Sequence, residues 1–210
     1  MSENQKRHRT LLISIAACFL VVAAMPVSAA GDVERGAILA ETCMGCHGIP
    51  GYRNGYPSYR VPKLGGQHED YLVIGLQGYK TQGRGHPTMQ AQAAGLSDQD
   101  MRDLAAYFAS QGGPEQGSAQ TGARIERGRE KAGACAACHG EVGISLQSTW
   151  PSLAGQHEDY MREVILQYKN QVRTDPVMQG QAQILSDEDI ADLAAFYAAQ
   201  PGLFTVEYAR

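Results

Sequence analysis

The 210-residue sequence is poor in several things, and each shortage excludes a class of protein. Its longest apolar run without a charge, Leu11 to Ala24, covers fourteen residues, whereas a spanning helix needs about 20. Positive charge is not in surplus: 18 Lys and Arg stand against 22 Asp and Glu, a formal charge of −4. Nucleic acid, which is held through its phosphates by Lys and Arg, is therefore excluded as a partner. No segment alternates polar and apolar residues as a half-buried strand does, so a sheet protein is excluded. Of five cysteines, Cys18 lies near the amino terminus and the other four fall in two short stretches, CMGCHG and CAACHG. Such clustering is not the dispersed pattern of a disulfide scaffold.

The amino terminus carries a basic start at Lys6, Arg7 and Arg9, then the apolar run, then Ser28-Ala29-Ala30. This order is that of a secretory leader cleaved near Ala30, which implies export to the periplasm. The alternatives are an uncleaved anchor, or lipoprotein-type cleavage before Cys18, which would leave the apolar Phe19–Ala24 run on the mature protein. Without the first thirty residues the chain holds 15 Lys and Arg against 21 Asp and Glu, a formal charge of −6. A mildly acidic surface keeps a protein in solution and suits contact with basic patches on others.

What remains is a tandem repeat. Val33-Glu34-Arg35-Gly36 recurs as Ile125-Glu126-Arg127-Gly128, and the two cysteine stretches share that offset of 92. Beyond them the offset is 89, because the first copy is three residues longer after its motif. Residues 61–111 and 150–200 are identical at 27 of 51 positions. Gln111 to Ser118 is rich in Gly, Pro and polar residues, as linkers are. The expected organisation is a leader (1–30), a first domain (31–113), a linker (114–122) and a second domain (123–210).

Each copy reads as helices. Ser97 with Asp100 forms a capping-box pattern, and Met101, Leu104, Ala105 and Phe108 follow at helical spacing. Ser186, Asp189, Ile190, Leu193, Ala194 and Tyr197 repeat the pattern. A middle helix carries Leu72, Leu76 and Tyr79 in one copy and Met161, Ile165 and Tyr168 in the other. A first helix runs from about Asp32 into the first motif. Domains of about 80 residues with many glycines build a thin core from side chains alone. A large apolar group bound inside each would supply it.

Both motifs are C-x-x-C-H, which points to covalent haem. Thiols three apart lie one helical turn apart and can reach the two vinyl groups on one porphyrin edge, and the following histidine can ligate iron. Cys43, Cys46 and His47 would hold one haem c, and Cys135, Cys138 and His139 the other. A thioredoxin-like pair needs a βαβ setting, structural zinc needs four ligands, and a plain disulfide leaves the repeated histidine unexplained.

For the sixth iron ligand, Met89 and Met178 are the only methionines that face each other in the repeat, each two residues after a proline. A lone Met is usually core filler; one kept in both copies, in a loop rich in Gly, Pro and Gln, points to a ligand. The rival is the duplicated pair His68 and His157, read as having a surface or helix-end role. His86 faces Asp175 and so is not a shared ligand. Thioether ligation raises the reduction potential relative to bis-histidine. Two protein ligands also leave no open position for a small-molecule substrate, so an electron carrier is expected, not an enzyme.

In this order, C-x-x-C-H-G, P-x-L-x-G-Q, P-x-M and L-S-D-x-D ahead of a closing helix, the sequence resembles class I cytochromes c. Doubled in one exported chain, it is similar to the dihaem cytochrome c4 family over residues 31–201. The resemblance implies an all-α fold of two tandem class I cytochrome c domains, each wrapped around a covalent haem c. It implies that the Pro62 and Pro151 carbonyls orient the two histidines, that Gly36 and Gly128 let the first helix cross the last, and that the haems face one another across a domain interface. It also implies a periplasmic carrier, sometimes membrane-associated, whose partners are redox proteins such as a membrane cytochrome complex or terminal oxidase. Alternatives are a dihaem subunit of a dehydrogenase, as in flavocytochrome c sulfide dehydrogenase, or of a cytochrome oxidase, and a dihaem peroxidase or thiosulfate-oxidising enzyme. The sequence departs from the family at Gly48–Arg60, an aromatic and basic loop suited to the domain seam or to a redox partner. For the tail after Pro201 the repeat offers no counterpart.

Overall fold

A computed structural model describes residues 30–112 and 119–207. The expected leader through residue 29 and linker residues 114–118 lie outside the described residues.

Each half is built from one set of helices. The first half has α1 (Val33–His47), α2 (Glu69–Lys80), α3 (Pro87–Ala94) and α4 (Asp98–Ser110). The second has α5 (Ala123–Lys131), α6 (Gly133–His139), α7 (Glu158–Lys169), α8 (Pro176–Gln183) and α9 (Asp187–Ala198). Asp32 caps α1, its carboxylate accepting from the Glu34 and Arg35 amides at 2.9 and 3.0 Å. Both predicted capping boxes form. Ser97 Oγ accepts from the Asp100 amide at 3.1 Å while Asp100 accepts from the Ser97 amide at 2.8 Å. Ser186 and Asp189 do the same at 3.1 and 3.0 Å.

The first helix of each half crosses the last. At the crossings a Cβ on Gly36 would collide with the Asp103 carbonyl, and one on Gly128 with the Asp192 carbonyl. Only glycine lets the backbones come this close. Next to them Asp103 and Asp192 are fully buried, which a carboxylate tolerates only when paired. Asp103 accepts from the Asp32 amide at 2.8 Å, from Gln99 at 2.7 Å and from Arg35; Asp192 pairs with Arg127 and Lys131.

The apolar stripes face inward as their spacing predicts. Leu104 and Phe108 pack with Ala40 and Met44 in the first core; Leu193, Ala194 and Tyr197 pack with Ala132 and Met161 in the second. Among the described residues there is no strand, only three isolated bridges, and two of these join the halves: Gly65 with Phe204 and Arg84 with Arg173. The tail after Pro201 thus gains a role. It leaves α9, bonds to Ala154 through the Leu203 amide (2.8 Å), and then exchanges two backbone hydrogen bonds with Gly65. Val206 is buried in the core of the first half, with Phe204 packed beside it.

The long loop after the first motif lies at the seam. Tyr59 is buried with its ring 6.2 Å from that of Tyr160, and Arg53 and Arg60 pair with Asp159. Among the described residues no helix is long and apolar enough to cross a membrane.

Candidate haem sites

The C-x-x-C-H stretches end two helices. Cys43, Cys46 and His47 occupy the last turns of α1, and Cys135, Cys138 and His139 lie on α6. Helical geometry puts cysteines three apart on one face. All four are free and partly buried. Burial pushes the Cys43 and Cys135 thiols up.

Each histidine is oriented by a carbonyl. His47 Nδ1 lies 2.9 Å from the Pro62 oxygen and His139 Nδ1 lies 2.8 Å from the Pro151 oxygen. A carbonyl only accepts, so Nδ1 carries the proton and Nε2 keeps its lone pair, the form that ligates a metal. Burial pushes both imidazoles below their usual range, which holds them neutral.

Met89 and Met178 differ from expectation in setting. They stand in the first turn of the short helices α3 and α8, not in a loop. The helices form because a proline at their first position is preceded by a capping side chain. His86 Nδ1 accepts from the Met89 amide at 3.2 Å, and Asp175 Oδ1 accepts from the Met178 amide at 2.9 Å. His86 and Asp175, unlike in sequence, therefore do one job, which a proline with a cap residue before it could have revealed. Both methionines are partly buried. His68 and His157 take the N-cap positions of α2 and α7, as a helix-end role requires, though neither side chain caps. His68 instead reaches the other half, its Nε2 lying 2.9 Å from the Ser145 carbonyl.

Sequence reasoning passed over Arg84 and Arg173, which the repeat keeps at its 89-residue offset. Arg173 is 3 % exposed. Its Nε donates to Gln167 at 2.9 Å and its guanidinium lies over the Tyr168 and Tyr160 rings. Arg84 lies over Tyr71 and Tyr79. Among the described residues neither arginine pairs with a carboxylate, and Arg173 Nη1 has no hydrogen-bond partner. A buried cation without a counter-charge costs several kcal/mol. The Tyr197 hydroxyl is likewise buried, beside the Cys135 thiol. A large apolar group bearing carboxylates, attached through paired thiols, fits this donor set. Haem c is such a group. Among the described residues no cluster of three or more His, Cys, Asp or Glu could hold a metal ion by itself, so structural zinc does not fit.

The Cytochrome c family matches residues 33–112 and again 125–198. Cytochrome c4 of Pseudomonas aeruginosa is 34% identical over 180 residues, 80% of this chain and 88% of that protein. The chain belongs to the cytochrome c4 family. The crystal structure of reduced recombinant cytochrome c4 from Pseudomonas stutzeri matches with a TM-score of 0.68 at 31% identity, covering 81% of this chain and 100% of that one. A thiosulfate dehydrogenase electron acceptor of Stutzerimonas stutzeri is 29% identical over 172 residues, 76% of this chain and 79% of that protein. Like other cytochromes c4, the chain carries two covalent haem c groups, at Cys43/Cys46 and at Cys135/Cys138, and is a dihaem electron carrier.

Proposed function

We propose that this cytochrome c4 is a periplasmic shuttle whose two irons are each ligated by one histidine and one methionine: His47 with Met89, and His139 with Met178. The domains run over 31–113 and 123–210, joined by the linker, after a leader is removed near Ala30. The observation that carries the reading is duplicated geometry: in each half a neutral histidine, fixed by a proline carbonyl and free at Nε2, follows a pair of free thiols. Haem, when bound, supplies one-electron redox chemistry at iron. The chain attaches it through Cys43, Cys46, Cys135 and Cys138, excludes water with its apolar cores, and offers Arg84 and Arg173 as donors to its carboxylates.

The donor is a membrane cytochrome complex or similar reductase, and the acceptor a terminal oxidase. A second reading, acceptance of electrons from a thiosulfate dehydrogenase, is favoured by the relative of that name. Comparing the rate at which each candidate donor reduces the oxidised protein separates the two. The ligand set is tested by optical redox titration that follows the visible bands and the weak methionine-to-ferric charge-transfer band. Two high-potential waves, both with methionine ligation, are expected. A low-potential wave, or one high-spin iron lacking methionine, would mean an open site and an enzyme such as a peroxidase.

A further inference from the structure

The two halves meet through a reciprocal pair of buried glutamines that the repeat places in P-x-L-x-G-Q. Gln67 of the first domain donates from Nε2 to the Ser152 carbonyl of the second at 3.0 Å, and its Oε1 accepts from the Ser152 amide at 3.0 Å. Gln156 of the second domain donates to the Lys63 carbonyl of the first and accepts from the Lys63 amide, both at 3.0 Å. Gln67 and Gln156 are each 6 % exposed. Each Oε1 also accepts from the amide of the next residue in its own domain, His68 or His157, which fixes the side chain.

The position of these contacts matters. The Ser152 N–H and the Pro151 C=O belong to one peptide group, and that C=O accepts from His139. The Lys63 N–H and the Pro62 C=O likewise belong to one peptide group, whose C=O accepts from His47. A hydrogen-bond chain therefore crosses the seam twice: glutamine oxygen of one domain, peptide of the other, imidazole of the other. Bonds in such a chain polarise one another, more so away from water. An acceptor on the N–H makes the C=O a better acceptor, which strengthens the imidazole's hydrogen bond and its donation to a metal.

We propose that Gln67 and Gln156 are cross-domain positioning residues, each acting through a proline peptide on the iron-ligating histidine of the other domain, so that each domain helps to set its neighbour's haem potential. This rests on His47 and His139 being iron ligands. Loss of Gln67 leaves the His139 hydrogen bond weaker and the ferric state of the second haem less stabilised. Its potential rises. Loss of Gln156 raises the potential of the first haem.

The test is spectroelectrochemistry on the haem-loaded full-length protein, with the waves assigned by Met89→His, which displaces the wave of the first haem downward. In that background Gln67→Leu should move the remaining second-domain wave upward and leave the first in place. Gln156→Leu in a Met178→His background should do the converse. Exchange of the His139 Nδ1 proton, followed by NMR in the ferrous protein, should quicken in Gln67→Leu and not in Gln156→Leu. Gln67→Met, closer in length, serves if the leucine variant does not mature. No shift, a shift confined to the haem of the mutated domain, or equal shifts in both would overturn the inference, the last because it would report a general opening of the seam. A Met89→His protein with both waves unmoved would remove Met89 from the ligand reading but leave the inference, which rests on His47 and His139, to be decided by the Nδ1 exchange comparison.

Discussion

The two halves share one plan but differ where they meet each other. In the first, α1 runs unbroken from its Asp32 cap into the motif; in the second, the same path is split into α5 and α6 at Ala132, and the start of α5 has no side-chain cap. The first half has the longer loop after its motif; the second has the tail. Each gives its extra segment to the other: Tyr59, Arg53 and Arg60 reach Tyr160 and Asp159, while Phe204 and Val206 reach the core of α1 and α4. Duplication preserved the haem-bearing scaffold, and the unequal insertions were used to fasten one copy to the other.

The largest effect expected from breaking this comparison comes from ending the chain at Pro201. The first domain would lose the buried Val206 and the partly buried Phe204, roughly 2–5 kcal/mol on a scale of about 1.5–3 kcal/mol for a fully buried side chain. Hydrogen exchange resolved by domain should show α1 and α4 opening far more readily than α5 and α9. Equal loosening of both halves would mean that the tail serves the seam rather than the first core.

Gly36→Val and Gly128→Val come next. Either Cβ meets a main-chain carbonyl, which cannot step aside as a flexible side chain can, so each should cost about 3 kcal/mol in its own domain. The comparison sharpens here. The unbroken α1 must shift as a whole, carrying Cys43 and His47 with it, whereas α5 can move about the break before α6. Haem incorporation, read from the pyridine haemochrome, should therefore suffer more in Gly36→Val.

What was legible in the sequence was local. Ser97 and Ser186 announced their capping boxes, the apolar spacing of α4 and α9 matched their buried faces, and both C-x-x-C-H motifs ended a helix. Met89 and Met178 were singled out through the repeat but placed in a loop, because histidine and aspartate at the same cap position look unrelated until their bonds are seen. The seam was legible only at the Gly48–Arg60 loop, whose aromatic and basic residues suited it. Periodicity reports which face of an element is buried, not which distant segment covers it, so nothing local pointed from Val206 to Ala40 or from Gln67 to Ser152. Arg84 and Arg173 were passed over because arginine is normally exposed, although its retention in both copies was in plain view.

A pH effect is expected from His157 at the start of α7. His157 lies beside Lys63, Arg60 and Arg53, with Asp159 as the opposing charge; burial first, then these cations, hold its pKa down to about 4. The unfolded chain would protonate it near 6.5. The folded state disfavours the proton, so the stability it contributes is present above about 6.5 and is lost as pH falls toward 4. Thermal unfolding between pH 7 and 4 should show this decline, and His157→Gln should flatten it. A slope unchanged in the variant would assign the decline to other groups.

The smallest effect should be the most even. Ser97→Ala and Ser186→Ala each remove a cap of nearly the same geometry, at about 1 kcal/mol. The surrounding charges differ: Ser97 bonds and Arg35 hold Asp100 down to about 2, whereas a lysine, Lys131, at 2.8 Å comes first in holding Asp189 down. If the hydroxyl and amide of serine dominate, the two losses agree. If the lysine pair keeps Asp189 oriented after its serine is gone, Ser186→Ala costs less than Ser97→Ala. Adding Lys131→Met to Ser186→Ala then restores the full cost and removes the difference, since the carboxylate loses its second anchor, and a double-mutant cycle measures that coupling directly.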